Sequence, residues 1–311
     1  MRSIALPDGR HLVVRAPTRE DVPAICALYE RLGPTDRHRR FFSGFHPDGE
    51  FVTHLVERDP ALGAMLVVEV GDGEQAEIVA EAEYGLLEDG DGELGITVDR
   101  RWRGWLAPYL LDALLEVAAS RGVPNLRAEV LVENRPMLAM VRARGYAALD
   151  TDDRCVLDAV ISTQGPVPSW PAVRRGPRVV VEVPGAHWRL GPALREVGVD
   201  VLGCPGPRGR PDDCPLVRGE GCPLAEGADL VVHALGADDP GALAVLDAHR
   251  RAGTRHLVVD VRRGHHAHSL PAGAVEIEDP TPEEVQALVR SLLDLPDVGG
   301  RGSAQEVRAA R

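Results

Sequence analysis

Residues 93–122 read ELGITVDRRWRGWLAPYLLDALLEVAASRG. Apolar and polar residues alternate through ELGITVD (93–99), which predicts a strand. Leu110, Leu111, Leu114, Leu115 and Ala118 recur on one face of a helix that runs to Gly122. Between them lies a turn holding Arg103, Gly104, Ala107 and Pro108. A strand, a glycine-containing turn and a helix together aim backbone N–H groups and the positive end of a helix dipole at a phosphate. A strand that splays from its neighbour before such a turn also frees N–H and C=O groups for an extended, amide-bearing ligand such as pantetheine.

Outward from this stretch the first half reads as α/β. HLVVRA (11–16) predicts a strand, and Thr18 with Asp21 three residues on predicts a capped helix carrying Val22, Ile25, Tyr29 and Leu32. MLVVEV (65–70) and EIVAEAEYGLL (77–87) predict neighbouring antiparallel strands joined by GDGEQ. LRAEVLV (126–132) predicts a strand. Asn134 caps a following helix with Pro136 in its first turn, and Gly145 stops it. GYAALD and CVLDAVI close the unit as a hairpin. Residues 163–177, TQGPVPSWPAVRRGP, are rich in Pro and Gly and read as a linker.

Beyond it, RVVVEV (178–183), DVLG (200–203), DLVVHAL (229–235), HLVVDV (256–261) and AVEIE (274–278) are continuous apolar runs. Helical patterns at 188–197, 240–252 and 281–294 alternate with them. That alternation predicts a doubly wound parallel sheet of flavodoxin-like type. The expected organisation is thus a first unit over 1–162, a linker over 163–177, a second α/β unit over 178–295 and a disordered tail over 296–311.

Composition narrows the function. The chain has 311 residues, 44% of them hydrophobic but only 4% aromatic, so its cores are aliphatic. A net charge of −13 argues against a general nucleic-acid or anionic-membrane binder, which needs a basic footprint. The N-terminus has no signal-peptide pattern, and no stretch approaches the ~18 apolar residues of a membrane span. The expectation is a cytoplasmic protein. Five cysteines are too sparse for a disulfide framework.

The first half resembles the GNAT (Gcn5-related N-acetyltransferase) superfamily. GELGITVDRRWRG is similar to that family's strand-to-turn segment, and SRGVPNLRAEVLVENRPMLAMVRARGYA to the segment after it. VVRAPTREDVPAICALYERLGPTDRHRRFF resembles the bacterial protein-lysine acetyltransferase branch. The resemblance implies a mixed, mostly antiparallel sheet flanked by helices, acetyl-CoA as acyl donor, and a small amine or protein lysine as acceptor. It implies cofactor contacts at Val98, Arg103, Gly104, Ala107 and Asn134, and Glu93 as general base. Two departures stand out. The glycine-rich turn is shortened, with Trp105 and Leu106 where the family carries its first required Gly, and Val141 stands where many members place a Tyr that serves as general acid toward the thiolate. Arg37, Arg39, Arg40, Phe41 and Phe42 form a basic-aromatic cluster that in this branch lies near the cofactor mouth.

The second half lacks the acidic cluster and Lys of a phosphoreceiver, a G-x-G-x-x-G fingerprint and a P-loop. Cys204, Cys214 and Cys222 are each followed by Pro. With His187, His265, His266 and His268 they are expected at the carboxyl edge of the parallel sheet, where ligands bind. An alternative reading is therefore a degenerate, non-catalytic GNAT regulatory protein that senses metal or redox state through these side chains.

Overall fold

The computed structural model describes residues 2–71, 73, 76–149, 153, 155–182, 190–206, 214–235, 240–260, 276–278 and 281–295. Its described strands, from β1 (Arg2–Ala5) at one edge to β13 (Glu276–Glu278) at the other, form one sheet.

The first half supplies β1 (Arg2–Ala5), β2 (His11–Arg15), β3 (Gly63–Val70), β4 (Glu77–Leu86), β5 (Gly92–Val98), β6 (Asn125–Leu131), β7 (Ala147–Leu149) and β8 (Val156–Ser162). β1 to β5 form an antiparallel meander, β5 to β6 is parallel, and β6, β8 and β7 are antiparallel again. This is the mixed, mostly antiparallel sheet that the resemblance implies. One face is covered by α4 (Leu106–Ser120) and α5 (Arg135–Arg144). Leu106, Leu110, Leu111, Leu114 and Ala118 are each 0% exposed there. The other face is covered by α1 (Val22–Glu30), α2 (Pro34–Phe41) and α3 (Gly49–Val56). Ile25, Leu28, Tyr29 and Val52 pack there on Met65, Val67 and Ile78. The Thr18–Asp21 capping box forms as read.

Sequence pattern missed β1, α2 and α3. β1 is four residues long and half-buried at a sheet edge, too short for a periodic signal. α2 is PTDRHRRF, with no apolar stripe. It is started by Pro34 at its N-terminus and closed by Phe42 in the left-handed region (φ 55°). α3 is set by Asp48, whose carboxylate accepts from Phe51 N at 2.9 Å.

The second half supplies β9 (Arg178–Glu182), α6 (Leu190–Glu196), β10 (Asp200–Cys204), α7 (Pro223–Glu226), β11 (Leu230–Leu235), α8 (Pro240–Arg251), β12 (His256–Asp260), β13 (Glu276–Glu278) and α9 (Pro282–Leu292). All its internal strand pairs are parallel. Val179, Val181, Val201, Leu230, Val232 and Leu257 pack on α6 and α9 through Leu194, Val285 and Val289. Val180, Leu202 and Val231 face the opposite side, with Trp170, Leu224 and Ala225. The apolar runs are continuous because both faces of this sheet are covered.

The two halves share one sheet. β10 pairs antiparallel with β7 through Gly203 and Ala148. The Pro/Gly-rich 163–177 segment is tied to both halves, unlike a free tether. Ser169 N donates to Asn125 Oδ1 at 3.1 Å, and the Trp170 indole N–H donates to Leu224 O at 2.8 Å. Val173 N donates to Asp89 O at 3.2 Å. The backbone N–H groups of Arg175 and Gly176 donate to Asp200 at 2.9 and 3.2 Å. Residues 296–311 lie outside the described residues. Among the described residues no helix is long and apolar enough to cross a membrane.

Candidate functional site

The start of β5 is fixed by buried polar contacts. Asp91 is 0% exposed. Its carboxylate accepts from Asn125 Nδ2 and Arg127 Nε, each at 2.9 Å, and Asp89 pairs with the same Arg127. The acidic turn EDGDG therefore turns two of its carboxylates inward. Gly92 sits where a Cβ would lie 2.7 Å from Leu126 Cδ2 and 2.9 Å from Tyr84 Cδ2, so any larger residue there would push on these two buried side chains.

Beyond that anchor the strands part. β5 and β6 share only the register pairs Gly92–Leu126 and Glu93–Arg127. β5 stays paired with β4 as far as Val98–Ala80, and β6 stays paired with β8 as far as Leu131–Val156. A wedge thus opens between Leu94–Val98 and the C-terminal part of β6, lined by backbone groups with no ladder partner in either strand. Glu93 stands at its vertex with an exposed side chain. Val98 ends β5 at the open end, its side chain 9% exposed in the main core.

The turn after the wedge is held by Asp99. Its carboxylate accepts from Arg101 N at 3.0 Å, Arg101 Nε at 3.1 Å and Arg31 Nε at 2.9 Å. The hydrogen bonds from Arg101, joined by Arg31 and opposed by burial, hold Asp99 well below the usual carboxylate range. Arg103 is extended (φ −65°, ψ 160°), and Gly104 takes φ +103°, which only glycine adopts freely. At the shortened glycine position the two bulky residues part company: Leu106 turns into the core at 0% exposure, and Trp105 stays 47% exposed beside Tyr109, ring centroids 6.3 Å apart. Their bulk is thus accommodated by the core on one side and solvent on the other. No side chain caps α4. The N–H groups of Leu106 and Ala107 stand in its first turn, while Pro108 contributes none. Arg103 is paired with Asp36 of α2 at 2.7 Å. Asn134 caps α5, its Oδ1 accepting from Met137 N at 3.5 Å, just beyond the end of β6.

The structure thus brings Glu93, Val98, Arg103, Gly104 and Ala107 along one strand and turn, with Asn134 past the end of the strand across the wedge. It also adds residues that sequence pattern did not single out. The registers Glu81–Thr97, Glu83–Gly95 and Gly85–Glu93 place these positions on the sheet face under α2. There Arg40 Nη2 donates to Glu83 Oε1 at 2.9 Å, with Glu81 Oε1 3.6 Å from its Nε, and Arg58 pairs with Glu83 at 2.9 Å. Glu81 is 0% exposed. Burial pushes its carboxyl up, against the pull of Arg40. The signal was present in the Glu-x-Glu of EAEYGLL: two carboxylates at strand spacing inside an apolar run must share one face. Asp158 of β8 is a further acid near Glu93, Glu129 and Arg127. Burial, reinforced by the Glu129 and Glu93 charges, pushes it up to about 6.

In the second half, Cys204 ends β10, and Cys214 and Cys222 follow in the next loop. Burial pushes all three thiols up, Cys204 well above the usual range. Among the described residues no group of three His, Cys, Asp or Glu side chains is placed to hold a metal ion. His187, His265, His266 and His268 lie outside the described residues.

The chain is similar to several known proteins. No family model matches the chain. It is 28% identical over 153 residues to acetyltransferase PA5475 of Pseudomonas aeruginosa, covering 48% of this chain and 82% of that one. Among solved structures it is similar to the GNAT domain of S. lividans PAT, with 22% identity, TM-score 0.46, 52% of this chain and 96% of that one. It is also similar to yncA of Salmonella typhimurium with its cofactor acetyl-CoA, with 16% identity, TM-score 0.42, 49% of this chain and 94% of that one.

Proposed function

We propose that the first half binds acetyl-CoA and transfers the acetyl group to an amine, either a small molecule or a protein lysine. The observation that carries this reading is the wedge: β5 and β6 share two register pairs, then diverge toward an uncapped helix N-terminus. The pantetheine amides would pair with the freed edge of β5 up to Val98. The diphosphate would sit at Gly104 and the N–H groups of Leu106 and Ala107, where backbone donors and the dipole favour an anion. Arg103, already oriented by Asp36, would add charge, and Asn134 would border the far side. Acetyl transfer needs a neutral amine. Glu93, exposed at the vertex, is the base we assign, directly or through water, with proximity supplying most of the acceleration. Its acetyltransferase relative supports the acyl-CoA chemistry, and the RHRRFF segment on α2 supports the protein-lysine branch.

The second half we read as a flavodoxin-like unit over 178–295, joined to a first unit over 1–162 by the 163–177 strap. Its parallel strands run 2-1-3-4-5 in their own numbering, which supports that reading.

Calorimetric titration with acetyl-CoA tests the proposal. Saturable binding is expected, weakened about tenfold by Arg103→Glu, the loss of one charge-assisted phosphate contact. Glu93→Gln should lower turnover at neutral pH and leave acetyl-CoA affinity in place. No heat with acetyl-CoA, or full turnover by Glu93→Gln, would remove the cofactor site or the base respectively.

A further inference from the structure

A cavity of about 460 Å³ opens where the two halves meet, within the size range of small-molecule sites. α5 and its exit supply one wall through Gly145 and Tyr146, and the strap and α7 supply others through Val167, Pro168 and Leu224. Glu182, the last residue of β9, also lines it and is 2% exposed. In register with it stands His233 of β11. β9 and β11 flank the point where the parallel strand order reverses, and such sheets take ligands at the carboxyl ends of strands beside that point.

The polar group in this apolar hollow is unusual. Glu182 Oε2 is 2.6 Å from His233 Nδ1, and Oε1 is 3.4 Å from His249 Nε2. Burial opposes the charge on Glu182, but the two imidazoles outweigh it and hold the carboxyl well below its usual range. A buried ion costs several kcal/mol to desolvate and adds little to stability over an apolar replacement. A carboxylate kept charged beside an open cavity therefore points to a ligand. It is an acceptor-only group, so the matching ligand edge carries N–H donors. Arg142 and Arg218 also line the cavity with exposed side chains, Arg218 steadied by Glu220 at 2.7 Å. Two guanidinium groups lining one cavity offer charge-assisted donors to a phosphate.

We propose that this cavity binds a purine nucleoside monophosphate of the guanine type, its N–H edge on Glu182 and its phosphate at Arg142 and Arg218. The apolar walls would sandwich the flat ring. The site also touches the acyl-CoA turn. Arg144, another lining residue, donates to Pro108 O at 2.7 Å and pairs with Asp112 at 2.6 Å, both on α4. Occupancy would thus bear on the helix whose N-terminus we assign to the diphosphate. This last consequence, and not the binding itself, rests on the function proposed above.

The test is calorimetry and thermal unfolding of the full chain with GMP, AMP, guanosine and inorganic phosphate. GMP should bind saturably and at least tenfold tighter than AMP, because adenine offers no adjacent pair of N–H donors to a carboxylate. Arg142→Glu, at an exposed position, should weaken GMP at least tenfold. Glu182→Gln should erase the GMP-over-AMP preference. Arg103→Glu should weaken acetyl-CoA and leave GMP unchanged, which separates this site from the first. No nucleoside monophosphate binding up to about 1 mM, equal affinity for GMP and AMP, or the same response to inorganic phosphate alone would each overturn the proposal. GMP binding without any acetyl-CoA binding would refute only the assignment of the turn.

Discussion

Gly95→Ala should unfold this protein well below the concentration of urea that the parent withstands. Gly95 lies in the middle of β5, directly under Arg40. A Cβ there would stand 2.6 Å from Arg40 Cζ and 3.0 Å from Nη1. An exposed arginine would swing aside at little cost. Arg40 cannot, because its side chain is 16% exposed and is held between Glu81 and Glu83. Moving the guanidinium strands Glu81, at 0% exposure, and leaves Glu83 to Arg58 alone, and breaking a buried pair by removing one partner costs about 3–5 kcal/mol. Partial relaxation and protonation of Glu81, whose carboxyl is already pushed up, reduce this to about 2–4 kcal/mol. Urea unfolding measures the loss, and a double-mutant cycle tests its cause. In an Arg40→Met background the steric conflict has no charged partner to displace, so Gly95→Ala should cost under about 1 kcal/mol, a coupling of at least ~1 kcal/mol. If the two substitutions add within about 0.5 kcal/mol, the guanidinium does not depend on the missing Cβ and the reasoning fails.

Asp158→Asn should stabilise the protein at pH 7.5 and do nothing below pH 4. The Asp158 carboxyl titrates at about 6 in the fold against 3.8 in the unfolded chain, so the folded state holds an extra proton between those values and loses stability as pH rises through that window. Two units set an upper bound of about 3 kcal/mol, and partial exposure lowers it to about 1–2 kcal/mol; thermal unfolding at the two pH values should show the gain only at the higher one. Asn125→Ala should cost about 2–4 kcal/mol in urea unfolding. It removes the amide that serves Asp91 and both bonds to Ser169, leaving a fully buried carboxylate short of a donor; a loss under 1 kcal/mol would mean that the start of β5 is anchored elsewhere. Trp170→Phe keeps a six-membered aromatic ring, trims the buried pyrrole half and deletes the indole N–H that reaches Leu224 O at 2.8 Å. A cost of about 1–3 kcal/mol in the same assay is expected, with faster proteolysis of the 163–177 strap; unchanged proteolysis would show that the strap is held by its other contacts.

Local pattern was enough to place most of the strands and helices. The period of 2 in ELGITVD, the period of 3.6 in the Leu110–Ala118 stripe, the Thr18 and Asn134 caps and the continuous apolar runs after residue 177 are short-range properties, written within a dozen residues of chain. They also located the strand–turn–helix at 93–122 and the glycine at 104 that its backbone requires. Where the pattern was silent, as in the polar α2 and the four-residue β1, the element depends on its neighbours in space. Tertiary structure alone decided that β5 and β6 separate after Glu93, that Gly95 makes room for Arg40, and that the strap is clamped to both halves. It alone decided that Glu182, His233 and His249 meet beside one cavity. Each of these joins residues tens of positions apart through strand register and burial. Register is fixed only when every strand competes for the same core, so no local window of sequence contains it.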